Sequence, residues 1–172
     1  MGLIILTGAS GSGKTAIAEA IAGDHALEAA VHHFDGIGVP ALDVMIRDHG
    51  SPEAWQRDKT IEWLARLAPH VGKDKPVLLE GQMRISFVLE AAAAANIKNY
   101  GLLLIDCDNK TRAQRLTTGR GQPELANEDM MNWAAYLRGE AGRHGCEIFD
   151  TSRLSLDQSV LHVQQHLREL GR

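Results

Sequence analysis

Cysteine is scarce in this sequence: only Cys107 and Cys146 occur among 172 residues. Their separation fits neither a disulfide framework nor a metal-ligand pattern. Free thiols point to a reducing compartment, so a cytoplasmic protein is the expectation. Long apolar runs are also missing. No stretch approaches the roughly 18 residues of a membrane-spanning helix, and Gly2-Leu3-Ile4-Ile5-Leu6 is too short for the core of a signal peptide. No charge of one sign dominates. The formal net charge is −4, so bulk electrostatics give no reason to expect a nucleic-acid partner. Aromatic residues make up 5%, and Trp55, Trp63 and Trp133 are expected in the core more than at a stacking platform. Repeats, low-complexity tracts and linkers are absent. What is present is an ordinary globular mixture, 44% hydrophobic and 23% charged. It suits a single domain over 1–172 whose core needs no disulfide or structural metal.

Leu3–Thr7 is a continuous apolar run closed by glycine, the pattern of a strand buried on both faces. Lys14–Gly23 reads as a helix. Val31–Asp35 is a second strand candidate, and Pro40 suits the first turn of a helix running to His49, with Gly50 as its stop. Ser51-Pro52-Glu53 opens another helix, with serine as N-cap and proline at N1. Its core stripe is expected at Ile61, Leu64, Ala65 and Ala68. Pro76–Glu80 and Tyr100–Asp106 read as strands, and Arg84–Ala95, Thr111–Thr118 and Asn127–Gly142 as helices. Cys146–Phe149 is a short fifth strand. Ser155 and Gln158 form a capping box for a last helix, with Leu156, Val160, Val163, Leu167 and Leu170 facing the core. Strand and helix alternate throughout, which predicts an α/β fold with a parallel sheet covered on both faces.

Gly8-Ala9-Ser10-Gly11-Ser12-Gly13-Lys14-Thr15 is a complete Walker A loop between a strand and a helix, the context that makes the pattern specific. The glycines let successive N–H groups turn inward onto phosphate oxygens. The helix N-terminus adds positive potential. Lys14 supplies a charge for the terminal phosphates, and the Thr15 hydroxyl suits Mg²⁺. Binding of a nucleoside triphosphate through Gly8, Ser10, Gly11, Ser12, Gly13, Lys14 and Thr15 is the expectation.

Over nearly its whole length the sequence resembles the small P-loop kinases, the group of nucleoside monophosphate kinases, shikimate kinases and gluconate kinases. That resemblance implies a three-layer P-loop NTPase fold with five parallel strands in the order 2-3-1-4-5. It also implies ATP and Mg²⁺, a helical acceptor-binding insert at about 36–75, and a lid at about 110–127. Asp35 matches the acid that contacts a hydroxyl acceptor and can act as its base, although Asp-Gly is also a common turn. Glu80-Gly81 matches an acidic-Gly pair that holds Mg²⁺ through water or orients the acceptor. Arg84, in Glu-Gly-Gln-Met-Arg, is similar to the arginine that grips the acceptor in adenylate kinases. The match is partial, because Gln82-Met83 replaces Phe-Pro. Arg47 resembles a second such arginine, with a solvated helix face as the equal alternative. Arg115, Arg120 and Arg138 resemble the cations that converge on the migrating phosphoryl group. Arg112 and Arg143 read as solvated. Thr151 and Arg153 follow the fifth strand, where the family's loop lies against the adenine. His32 and His33 point to opposite faces of a strand, which argues against a shared metal.

The function so implied is transfer of the γ-phosphate of Mg-ATP to a small, anionic acceptor, a nucleoside monophosphate or a hydroxy acid, by a monomer or weak dimer. The acceptor motif of gluconate kinases and the glycine triplet of shikimate kinases are both missing. A P-loop ATPase or nucleotide switch with a macromolecular partner is the alternative. It predicts no acceptor pocket between Asp35, Glu80 and Arg84. A nucleic-acid end kinase would need a basic channel that the acidic composition disfavours.

Overall fold

The computed structural model describes residues 2–171. Five strands, β1 (Leu3–Thr7), β2 (Ala30–His33), β3 (Val77–Gly81), β4 (Tyr100–Asp106) and β5 (Glu147–Asp150), form one parallel sheet. Their order is β2-β3-β1-β4-β5, as the resemblance implied. β1 lies at the centre, and every one of its five residues is buried. Alternation along it serves two cores. Leu3 and Ile5 face one side, and Ile4 and Leu6 face the other. Each such side chain contributes up to about 1.5–3 kcal/mol by leaving water.

α1 (Lys14–Ala22) and α7 (Leu156–Glu169) cover one face through Ile17, Ile21, Val163 and Leu167. α3 (Pro52–Leu67), α4 (Ile85–Ala94) and α6 (Glu128–His144) cover the other. α2 (Leu42–His49) lies outside α3, and α5 (Asn109–Gln114) follows β4. The helix starts obey their capping residues. Ser51 accepts from the Ala54 N–H, Asn127 accepts from the Met130 N–H, and the Ser155–Gln158 capping box is fully formed.

Three local expectations need correction. β2 stops at His33, and the chain tightens into a 3₁₀ turn over Phe34–Ile37, so Asp35 sits beyond the strand. The stripe that buries α3 is Trp55, Trp63, Leu64 and Leu67, while Ala65 faces out. The indole of Trp63 donates to the Phe34 carbonyl, and Trp55 meets Phe34 edge-on, so aromatic packing fixed the rotation of this helix. Leu156 is 47% exposed and faces the cavity described below, outside the core. The 36–75 segment is consequently two things. α3 is part of the sheet's own core, and α2 with its preceding loop leaves Val39, Leu42 and Ile46 exposed.

α5 gives way to a π-helical turn over Arg115–Gly119, closed by the Arg120 N–H on the Arg115 carbonyl. A 3₁₀ turn at Pro123–Leu125 then leads to α6.

Candidate active site

The loop from Gly8 to Gly13 leaves the carboxyl end of β1 at the centre of the sheet and enters α1. Gly11 and Gly13 have φ of +79° and +99°, the left-handed region that side chains disfavour. Among the described residues, the N–H groups of Gly11, Gly13, Lys14 and Thr15 donate to no backbone carbonyl. The Ser12 hydroxyl is buried and has no hydrogen-bond partner among the described residues. The Lys14 side chain is 5% exposed and makes no hydrogen bond or ion pair among the described residues. Burial pulls its pKa below that of ordinary lysine, and nearby Arg120 pulls it down too, against the attraction of Glu80 and Asp35. A buried ammonium beside unpaired amides is a cradle for an anion, and the residues present fit a polyphosphate.

The floor of this loop is braced from below. Arg112 is fully buried. It donates to the Ser10 carbonyl at 2.7 Å, the Cys107 carbonyl at 3.2 Å and Asp106 Oδ1 at 2.6 Å. Its expected place on a solvated face is therefore corrected. The register of β4 puts Asp106 beside the loop, and α5 returns Arg112 over it. Arg115 donates to the Ser12 carbonyl at 3.1 Å and to Thr151 Oγ1 and O at 2.9 and 2.8 Å. Thr151 in turn donates to the Ser12 carbonyl at 2.8 Å.

Two cavities open on the loop. One, of about 260 Å³, runs between α1, the π-turn and the start of α7. Ile17, Leu154, Leu156 and Thr151 line it together with Gly13, Lys14, Thr15, Arg115 and Arg120. The second, of about 270 Å³, is polar and is lined by Ser10, Lys14, Thr15, His33, Asp35, Glu80, Gly81, Gln82 and Arg120. They share Lys14, Thr15 and Arg120.

Glu80 is the last residue but one of β3, and its side chain is nearly buried. Parallel pairing aligns it with Leu6 on one neighbour and His33 on the other. Its carboxylate meets His33 Nδ1 at 2.7 Å and accepts from the Thr15 hydroxyl at 3.3 Å. Thr15 and Glu80 together offer the oxygen donors that suit Mg²⁺. A Cβ on Gly81 would lie 2.3 Å from Phe34 Cβ, which explains the glycine after the acid.

Three solved structures overlay on nearly the whole chain. A gluconokinase from Sinorhizobium meliloti 1021 is 22% identical, with a TM-score of 0.64 over 98% of this chain and 93% of its own. A shikimate kinase from Acinetobacter baumannii, in complex with shikimate, is 15% identical, with a TM-score of 0.64 over 98% and 94%. A sugar kinase from Janibacter sp. HTCC2649 is 18% identical, with a TM-score of 0.65 over 98% and 95%. This chain has the fold of the small P-loop kinases. No protein-family model matches its sequence, and no curated protein matches it either.

Within this P-loop kinase fold the expected site residues divide. Ser10, Gly11, Gly13, Lys14, Thr15, Asp35, Glu80, Gly81, Arg115, Arg120 and Thr151 line the two cavities, while Gly8 and Ser12 belong to the loop but line neither. Arg138 is turned to Asp106 Oδ2 at 2.6 Å, on the far side of the carboxylate that holds Arg112, and lines neither cavity. Arg84 lies behind Gln82 in a recess with Ser51, Glu53, Gln56 and Trp133. It donates to Gln56 Oε1 at 3.1 Å, reaches Glu53 at 3.4 Å, and stands over the rings of Phe87, Trp133 and Tyr136 at 5.2–5.4 Å. Arg47 is exposed and doubly bonded to its neighbour Asp48. Arg153 is exposed and outside both linings.

Sequence reasoning missed His33 and Gln82. Gln82 bonds Ser10 Oγ at 3.2 Å and accepts from the Trp133 indole at 3.1 Å, joining the loop to α6. Its signal was a polar residue directly after the Glu80-Gly81 pair, where an apolar one stands in adenylate kinases. His33 gave no local signal, since only strand register brings it to Glu80. It and His32 do part, as expected: His32 packs on Trp63, on the other side of β2.

Proposed function

We propose that this protein is an ATP-dependent phosphotransferase that moves the γ-phosphate of Mg-ATP to a hydroxyl of a small, anionic acceptor. The observation that carries the reading is the pair of cavities meeting at Lys14, Thr15 and Arg120. A donor held on one side and an acceptor on the other place the reacting phosphorus between those three residues. The partly apolar cavity beside Ile17, Leu154 and Leu156 takes the nucleoside end of ATP. The polar cavity takes the acceptor.

Lys14 and Arg120 balance charge on the phosphoryl group as it moves. Thr15 and Glu80 hold Mg²⁺, which draws charge from the phosphates when bound. Asp35 orients the acceptor hydroxyl and receives its proton as the oxygen bonds to phosphorus and ADP departs. Arg84 lines the adjoining recess and not the polar cavity itself. An acceptor whose anionic group extends past Gln82 meets it there, where its guanidinium is framed by three rings and Gln56 before any ligand arrives. The exposed end of the 36–75 segment at α2, and the 110–127 segment that carries Arg120, close over the two cavities to exclude water.

A coupled ADP-release assay tests this, with Mg-ATP against nucleoside monophosphates, hydroxy acids, sugars and nucleosides. ADP release that depends on one acceptor class and is lost in Lys14→Ala supports the kinase. Slow release indifferent to every acceptor overturns it and favours an ATPase or switch.

A further inference from the structure

β5 carries Thr151 just past one end and Glu147 at the other, so Glu147 lies at the end of the strand remote from the P-loop. α7 runs back along it and presents His162 and His166 one turn apart. Their ligating atoms converge. His162 Nε2 lies 2.9 Å from Glu147 Oε1, His166 Nε2 lies 3.5 Å from Glu147 Oε2, and the two Nε2 atoms are 3.3 Å apart. A tetrahedral Zn²⁺ with ligands at about 2.0–2.1 Å spaces those ligands about 3.3 Å from one another. With one ligand atom taken from each residue, the three lie within 4.8 Å of one another, close to that spacing.

Two further features fit a metal. The Phe149 ring lies flat on His162, with centroids 3.9 Å apart and planes within 5°, so the imidazole plane is fixed by packing. A cavity of about 370 Å³ adjoins Glu147 and His166, which leaves room for water as a fourth ligand. Cys146 also borders that cavity, but its thiol donates to the Leu102 carbonyl at 3.2 Å. It is thus engaged elsewhere. Two imidazoles and one carboxylate suit a borderline ion, whereas Mg²⁺ and Ca²⁺ prefer oxygen.

We propose that Glu147, His162 and His166 form a three-ligand site for a transition-metal dication of the zinc class, which clamps β5 to α7. The site is separate from the phosphate cradle and needs no nucleotide. The same two elements line the nucleoside cavity at their other ends, through Thr151, Leu156 and Ser159, so the clamp stiffens one wall of it.

The test uses the full chain after dialysis against a chelator. Zn²⁺ binding is measured by calorimetry, Co²⁺ serves as a visible-absorption probe, and melting is followed with Zn²⁺ or Mg²⁺. One Zn²⁺ per chain is expected, with a Tm rise that Mg²⁺ does not produce and a tetrahedral Co²⁺ spectrum. His162→Ala and His166→Ala should each weaken binding by about 100-fold or more and remove the Tm rise. Glu147→Gln, at an exposed position that cannot disturb packing, should weaken it as well, and Cys146→Ser should leave it intact. Wild-type protein that shows no Co²⁺ spectrum overturns the site. So does Zn²⁺ binding that survives loss of both histidines or disappears in Cys146→Ser.

Discussion

Arg112 and Arg120 stand eight positions apart on one segment and have opposite fates. Arg112 is sealed beneath the P-loop, with acceptors on Ser10, Asp106 and Cys107. Arg120 stands at the mouth, exposed, shared by both cavities and without a side-chain hydrogen bond or ion pair among the described residues. The contrast extends to the regions around them. Below the loop, the cations are held by protein acceptors, in the Asp106–Arg112–Arg138 network and in the Arg115–Thr151 pair, although the buried Arg112 Nε has no partner among the described residues. Above it, Lys14, Asp35 and Arg120 face cavities with their charges open to a ligand. A satisfied cation holds a shape, and an unsatisfied one is available for chemistry.

The largest effect that can break this comparison belongs to Lys14→Ala. It should lower transfer by at least about 10²–10³-fold, the cost of losing one donor to a developing charge, measured as acceptor-dependent ADP release. Arg120→Ala should lower kcat by a similar factor of about 10²–10³ with little change in Tm. Arg112→Met should do the reverse. Removing one partner of a buried ion pair costs about 3 kcal/mol, or roughly 6–12 °C in Tm for a chain of this size. Calorimetric melts beside kinetics decide the matter, and equal Tm losses in both variants would erase the distinction. Arg84→Ala comes next, with a raised acceptor KM and nearly constant kcat. Unchanged acceptor kinetics would remove Arg84 from the acceptor site.

A smaller effect comes from pH. Burial holds the pKa of Lys14 below its ordinary value, and a bound phosphate favours the charged form. ATP affinity should therefore fall as pH rises through that lowered pKa, below 10.5. Lys14→Arg should flatten the alkaline limb of the Kd profile, because arginine keeps its proton there. Arg47→Ala should have the least effect of all, with Tm and acceptor KM unchanged, since its guanidinium is held by Asp48 at the surface.

Much of the frame was readable beforehand. β1 and β4 announce themselves as apolar runs, and Ser51 and Ser155 announce their helices by capping. The P-loop is a contiguous motif, so its geometry follows from adjacent residues. The rest of the site depends on register and on packing between distant segments. Arg112, Arg115, Arg120 and Arg138 look alike as letters. Which one is buried, which braces Thr151 and which reaches the cavity is settled by Asp106 at the end of β4 and by the turn after α5. His33 likewise acquires its partner only when β2 pairs with β3.

That turn after α5 has a consequence for how this segment tolerates change in length. In an α-helix the residue stacked above Arg115 would be Gly119. The π-turn, bonded from residue 115 to residue 120, puts Arg120 there instead. It holds one residue more than an ordinary turn needs. Leu116 within it is buried, while Thr117 and Thr118 are exposed. A lineage that dropped Thr118 would turn the bulge back into regular helix and still keep the second arginine over the first. A residue lost from α5 ahead of Arg112 would instead rotate Arg112 out of its socket. The segment thus has slack for a one-residue deletion at its exposed threonines and none in the helix that props up the loop.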